Sequence, residues 1–412
     1  MNFSTRDLEL FFVNAEVSQF IDAMRPKVAI IAPSLDTVPS RSGHAIYSLI
    51  EDIAYHSHYP ILIFSICGNN LISSKVSDRI VYYKRPLAKN YIQKIMGHRL
   101  RKLVYGVSRV EDFQYTADVL QLCYKLNIKC LVVEDSNSLL PKLPSIFKRG
   151  LKTVLHQHAI APFYVSKFRW RFFQKKIDEI VFVGQSSQSK IEVRHGKLKV
   201  KTKVIYNGVD LGMYQDSASS GELLSFKLKD DSDVKVLLYV GRLIKEKGIM
   251  ELCEAVIILK SNALLVVVGE VGSDPFSMQL QNAAKSNPER IYLAGLIPQE
   301  SIASYYQRAD FVIIPSVGDE GLPKVVTEAL VMGRPVIASN RGGIWELVNI
   351  NINGIRIEDP IDKDSIADAI DRGLKSENSL KQSAVAKREY YRGILSAERM
   401  ANEFDMVFEK YL

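Results

Sequence analysis

"KVLLYVG", residues 235 to 241, is an apolar run closed by a glycine, and the helix-like "IMELCEAVIIL" (249 to 259) follows it. A run this short reads as one strand, and a strand without polar alternation is covered on both faces, as in a parallel sheet flanked by helices. The unit recurs downstream at "ALLVVVG" (263 to 269), "RIYLAG" (290 to 295), "DFVIIPS" (310 to 316), "RPVIAS" (334 to 339) and "GIRIED" (354 to 359). A similar series stands upstream at "KVAIIAPS" (27 to 34), "YPILIFSIC" (59 to 67), "IKCLVVED" (128 to 135), "LKTVLHQHA" (151 to 159), "DEIVFVG" (178 to 184) and "KVIYNG" (203 to 208). Apolar strands alternating with helical segments predict an α/β fold, and two such series predict two Rossmann-like, doubly wound domains with a cleft between them. The expected domains are 1–207 and 208–395, followed by an amphipathic helix over 396–412, "SAERMANEFDMVFEKYL", that crosses back to the first domain.

Composition agrees with a folded two-domain chain: 412 residues, 47% hydrophobic and 24% charged. The chain holds no apolar run long enough to span a membrane, and its first residues carry Asp7, Glu9 and Glu16 where a secretory signal would be basic and apolar, so a cytoplasmic location is expected. Cys67, Cys123, Cys130 and Cys253 lie singly in apolar surroundings, a pattern of reduced, buried thiols and not of a metal site or disulfide framework. The net charge of +8 is unevenly spread: residues 1–207 hold 31 Lys+Arg against 16 Asp+Glu, and the remainder 23 against 30. A basic first half attracts an anionic partner, and without a nucleic-acid motif that partner is a phospholipid surface or a phosphorylated acceptor.

Three strand-end turns carry candidate chemistry. In "DEGLPKVVTEAL" (319 to 330), Pro323 suits a helix start and Gly333 a helix stop, so a helix over about 323–332 opens at a strand's carboxyl end. The N–H groups of Gly321 and Leu322 are then placed for a phosphate, Glu320 in the loop for sugar hydroxyls, and Glu328 for a second pair such as those of a ribose. The plainer alternative is that Glu320 is a helix-start acid and Glu328 a solvated helix residue. In "YVGRLIKEKGI" (239 to 249), Gly241 ends the strand and Arg242 and Lys247 flank the turn, which suits a diphosphate as well as it suits two surface cations. "VVVGEVGSD" (266 to 274) is a third such turn and lacks the spacing of a nicotinamide site.

"VGRLIKEKG", "DEGLPKVVTEAL", "MGRPVIASNRGGIWELV" with "NING" behind it, and "VIYNGVD" together closely resemble glycosyltransferase family 4, retaining nucleotide-sugar transferases of the GT-B fold. The resemblance is strong over about 203–358 and weaker before it. It implies that Arg242 and Lys247 hold the donor diphosphate, that Glu320 binds the donor sugar, and that Glu328 binds the ribose. Gly342 and Gly343 would lie close to sugar and phosphate. In "VPSRSGHAIYSLIEDIA" Gly43 matches the second glycine of the family's phosphate-covering loop, with Ser42 where a first glycine is usual. In "VLHQHAIAP" His158, rather than His156, matches the family's histidine near the reacting sugar.

The implied reaction moves a hexose or N-acetylhexosamine from a UDP- or GDP-sugar to an acceptor hydroxyl with retention, without metal or other cofactor, since Arg242 and Lys247 would neutralise the leaving group. The first domain would be the acceptor side, and a lipid-linked or polysaccharide precursor the acceptor. "KRPLAKNYIQKIMGHRLRKLVY" (84 to 105) reads as a basic amphipathic helix, and Trp170, Phe172 and Phe173 lie among cations in "KFRWRFFQKK" (167 to 176). Both suit a peripheral contact with an anionic membrane. Two other classes share the donor site: a nucleotide-sugar epimerase of the same fold, and a non-catalytic nucleotide-sugar-binding subunit.

Overall fold

The computed structural model describes residues 15–33, 38, 45–66, 75–83, 110–134, 150–158, 170–171, 174–215 and 234–412. The chain divides into two compact units, one of Met1–Tyr206 with Met400–Leu412 and one of Asn207–Arg399.

The first unit is built on seven strands: β1 (Val28–Ile31), β2 (Ile61–Ile66), β3 (Ile80–Tyr83), β4 (Cys130–Glu134), β5 (Lys152–Gln157), β6 (Glu179–Phe182) and β7 (Lys201–Val204). They lie in the order β3-β2-β1-β4-β5-β6-β7, and every pair is parallel. Because alternate residues face opposite sides, each central strand feeds two cores. Ala29 and Ile31 join one cluster with Leu131, Val133 and Phe182, while Val28 and Ile30 join the other with Val132, Val154, Met400, Phe404 and Phe408. The end of the helix Ala397–Phe408 is therefore part of this unit's core. Asp405 fixes it, accepting from the Ser57 hydroxyl at 2.5 Å and the His58 N–H at 2.8 Å.

The second unit has six parallel strands, β8 (Lys235–Val240), β9 (Ala263–Val268), β10 (Ile291–Gly295), β11 (Phe311–Ile314), β12 (Val336–Ser339) and β13 (Gly354–Ile357), in the order β10-β9-β8-β11-β12-β13. The helices Ile249–Ile258 and Lys363–Lys375 cover one face through Leu252, Val256, Ile366 and Ile370. Asp362 caps the latter helix by accepting from Ser365 N–H at 2.9 Å. In both sheets the chain lays its first strands to one side of the starting strand and then returns to the other. That creates a switch point between β1 and β4 and another between β8 and β11, where the strand-end loops diverge and leave room for a ligand.

Three cysteines behave as the sequence suggested: Cys123, Cys130 and Cys253 are buried free thiols, and burial pushes Cys130 and Cys253 up to about 12. Trp170 does not. It is 3% exposed in the first unit's core, its ring stacked on His195 at 5.3 Å, so it packs inward and is no headgroup anchor. The basic stretch 84–105, Phe172, Phe173, Ser42 and Gly43 lie outside the described residues. Among the described residues no helix is long and apolar enough to cross a membrane.

Phe404 is fully buried, its ring edge-on to His156 at 4.8 Å. Phe404→Ala leaves a cavity under the sheet and is expected to destabilise the first unit by about 3–5 kcal/mol. A denaturant titration followed at the first unfolding transition checks this; a change under 1 kcal/mol would mean the last helix is not part of that core.

Candidate active site

In the second unit the loops after β8, β11 and β12 are stitched together by main-chain contacts. Val317 and Gly318 donate their N–H groups to the Glu246 carbonyl at 3.0 and 2.9 Å, and Gly343 donates to the Gly321 carbonyl at 2.6 Å. Two glycines permit this approach. Gly248 has φ +68°, and a Cβ there would stand 2.1 Å from the Pro315 carbonyl oxygen. Gly342 has φ +61°, and its Cβ would fall 2.3 Å from the carbonyl oxygen of Glu320. The left-handed backbone and the lack of space each exclude a side chain.

Around these loops the structure gathers most of the residues singled out in the sequence. Lys247 and Glu320, seventy-three positions apart, form an ion pair at 2.5 Å, and the Ser316 hydroxyl donates to the same Glu320 oxygen at 2.6 Å. Glu320 is therefore a loop acid paired with Lys247, not a helix-start acid, because the helix begins at Lys324 with no acid in its first turn. Arg242 is exposed beside Gly241, and among the described residues its guanidinium makes no hydrogen bond or ion pair. Gly321 and Leu322 precede the helix Lys324–Val331, and their N–H groups find no acceptor among the described residues. The Leu322 carbonyl accepts from Asn207 at 2.9 Å.

Glu328 is not the solvated helix residue of the plainer alternative. It is 8% exposed, and its two oxygens accept from the hydroxyls of Tyr214 at 2.6 Å and Tyr306 at 2.5 Å. Burial, with the Glu328 carboxylate beside it, pushes the Tyr306 hydroxyl well up, so it stays a neutral donor. A carboxylate has about four lone-pair positions, so two remain for other donors. Neither tyrosine stands out in the sequence, since the hydroxyl ends of core aromatics carry no spacing signal.

His158 belongs to the first unit, just past the end of β5. Its Nε2 lies 2.7 Å from an oxygen of Glu134, the last residue of β4, and the His156 Nδ1 lies 3.1 Å from the other. Glu134 is completely buried; burial alone would raise its carboxyl, but the His156 and His158 rings more than offset this and hold it at about 2. Sequence reading missed Glu134 because the acid and its histidines are far apart in the chain and meet only through strand pairing, Glu134 opposite His156.

Residues 221–390 match the family described as Glycosyl transferases group 1. The putative glycosyltransferase YtcC of Bacillus subtilis is 23% identical over 400 residues, covering 94% of this chain and 92% of its own length. The lipopolysaccharide 1,2-N-acetylglucosaminetransferase of Salmonella typhimurium is 24% identical over 371 residues, covering 85% and 90%. Among solved structures, Anabaena Alr3699/HepE in complex with UDP-glucose superposes with a TM-score of 0.71 at 18% identity, covering 93% of this chain and all of that one. The two parallel-sheet units thus form a GT-B fold, and the chain is an enzyme of the glycosyltransferase class.

The depressed Glu134 carboxyl makes a pH prediction. Its folded value of about 2 lies below the ordinary 4.5, so the stability it lends is fully present above pH 4.5 and is lost as pH falls toward 2. Thermal unfolding of the first unit is expected to fall through that window, and less steeply in Glu134→Gln. Equal slopes in the two proteins would overturn the assignment.

Proposed function

We propose that the protein is a retaining, metal-independent glycosyltransferase that moves a hexose or N-acetylhexosamine from a UDP- or GDP-sugar to a hydroxyl of a lipid-linked or polysaccharide precursor. The observation that carries the reading is the Lys247–Glu320 ion pair on the stitched loops at the β8–β11 switch point, with Arg242 on the loop after β8 and Glu328 on the helix after β11. Two cations and a set of main-chain N–H groups suit a diphosphate, and carboxylates suit the hydroxyls of the sugars at its two ends. UDP-glucose in the Anabaena neighbour and N-acetylglucosamine transfer in the Salmonella relative support that donor class.

In the reaction the bond between the anomeric carbon and the diphosphate oxygen breaks and a bond to the acceptor oxygen forms on the same face. The acceptor's proton passes to the departing diphosphate. In this reading Arg242 and Lys247 neutralise the charge growing on that leaving group, and His158 is assigned to the reacting sugar. In this reading Gly43 is assigned to the donor phosphates, and Gly241, Gly342 and Gly343 let backbone approach them. The excess of cations in residues 1–207, 31 Lys+Arg against 16 Asp+Glu, supports acceptor capture at an anionic membrane surface and a peripheral cytoplasmic location.

Incubating the protein with labelled UDP- and GDP-sugars and anionic vesicles carrying membrane extract tests the proposal. Label is expected in the lipid fraction for one donor; interconversion of the donor without transfer would point instead to an epimerase. Arg242→Ala and Lys247→Ala are each expected to lower turnover by roughly two to three orders of magnitude with the fold intact. Near-normal turnover in both would remove the diphosphate assignment.

The two acids are separable by calorimetry. Glu328→Ala is expected to weaken free nucleotide and nucleotide-sugar alike, because ribose is common to both. Glu320→Ala should not weaken free nucleotide, since it releases Lys247 to the diphosphate, and should weaken only the sugar-bearing donor. Equal losses for both ligands in both variants would show general destabilisation instead.

A further inference from the structure

We propose that Glu134 is the positioning residue for His158, a buried carboxylate that fixes which imidazole nitrogen carries the proton. The inference rests on the reading of His158 as the group beside the reacting sugar.

Strand alternation places the group. Val132 and Val154 face the core that Met400 and Phe404 close, and two residues further along β4 and β5 the same face carries Glu134 and His156. An apolar face therefore ends, at the carboxyl edge of the sheet, in an ionised carboxylate with no exposure. Burying such a charge is costly unless donors surround it. Among the described residues the donors are two, His156 Nδ1 and His158 Nε2.

The two histidines differ in position. His156 is inside the strand, its side chain 1% exposed, and its ring stands between Phe404 and the His158 ring, with centroids at 4.8 and 4.1 Å. It serves the carboxylate's charge balance. His158 lies past the strand end, where open parallel sheets present their ligands. A structural ion pair needs only one of them.

An ionised carboxylate only accepts hydrogen bonds, so the nitrogen facing it bears the proton. In the singly protonated ring the 2.7 Å contact therefore places the His158 proton on Nε2, facing the carboxylate. The ring neither flips nor changes tautomer without breaking a charge-assisted bond. The three side chains also offer atoms within 4.8 Å of one another, a spacing a metal ion could occupy. Yet each imidazole nitrogen lies at hydrogen-bond length from a carboxylate oxygen, which the proton arrangement explains without an ion.

Nitrogen-15 correlation spectra of histidine-labelled protein, with turnover and nucleotide affinity, test the proposal. The wild-type His158 ring is expected as the Nε2–H tautomer. In Glu134→Gln it should shift toward Nδ1–H, with kcat falling roughly ten- to a hundredfold and the Kd for free UDP or GDP unchanged. An Nδ1–H tautomer in the wild type overturns the proposal even if Glu134→Gln fails to fold. So does an unchanged tautomer or unchanged kcat in a folded Glu134→Gln, provided His158→Ala itself loses turnover. A stoichiometric metal ion in the purified protein that disappears in Glu134→Gln also overturns it, because the three atoms would then be ligands. Full turnover in His158→Ala removes the parent reading alone, leaving the tautomer result standing.

Discussion

The hydrogen bond from Gly343 N–H to the Gly321 carbonyl, at 2.6 Å, sets the second unit's working surface. It closes only because Gly342 takes a left-handed conformation with no side chain to meet the Glu320 and Gly321 carbonyls. On the other side of the β11 loop, the Glu246 carbonyl receives two N–H groups across the switch point. Ser339 adds a side-chain bond to the Ser316 carbonyl at 2.6 Å. Three loops that leave separate strands thus behave as one platform. Every charged group discussed for the donor side is mounted on it or on the helix behind it. An alanine at Gly342 would displace Glu320 and Gly321 together.

The fold class was legible because strand burial leaves a local signature: apolar runs such as 235–241 stand out in any window that contains them. The edges were not. Strand β3 escaped notice because it is four residues long and leads into a basic run, and β7, with Lys201 and Lys203, carries the polar alternation of an edge strand. Its true span ends at Val204, where the sequence pattern suggested a strand from 203 to 208. At the site, Gly248 and Gly342 could be read as turns. The pairings of Lys247 with Glu320, Glu328 with two tyrosines, and Glu134 with two histidines could not, since each is made by tertiary structure between residues with no fixed spacing. Residue types announced the chemistry; only the sheet order could say which of them share a charge.

The two buried acids show how donor type divides their roles. Glu134 meets two imidazole rings, which hold its carboxyl at about 2 against the effect of burial. Glu328 meets phenols, and burial keeps the Tyr306 hydroxyl neutral, so its negative charge is solvated without being cancelled. A carboxylate held this way stays a strong acceptor on its remaining lone pairs, the property a ribose site requires.

The Lys247–Glu320 pair adds a constraint to the proposed chemistry. At an effective dielectric of 20, two unit charges about 4 Å apart interact by about 4 kcal/mol, so a diphosphate approaching Lys247 competes with a neighbour already in contact. Uniformly tight binding would not speed transfer; only attraction that strengthens as charge develops on the leaving group lowers the barrier. In the proposed reaction the pair would provide that difference. While the diphosphate's charge is low, Lys247 is shared with Glu320, and as the glycosidic bond breaks the balance moves toward the phosphate. Glu320, relieved of part of its counter-charge, becomes a better acceptor for hydroxyls on a sugar ring that is turning positive. In the proposed reaction Arg242, with no ion pair among the described residues, would supply the steady part of the field and Lys247 the part that changes.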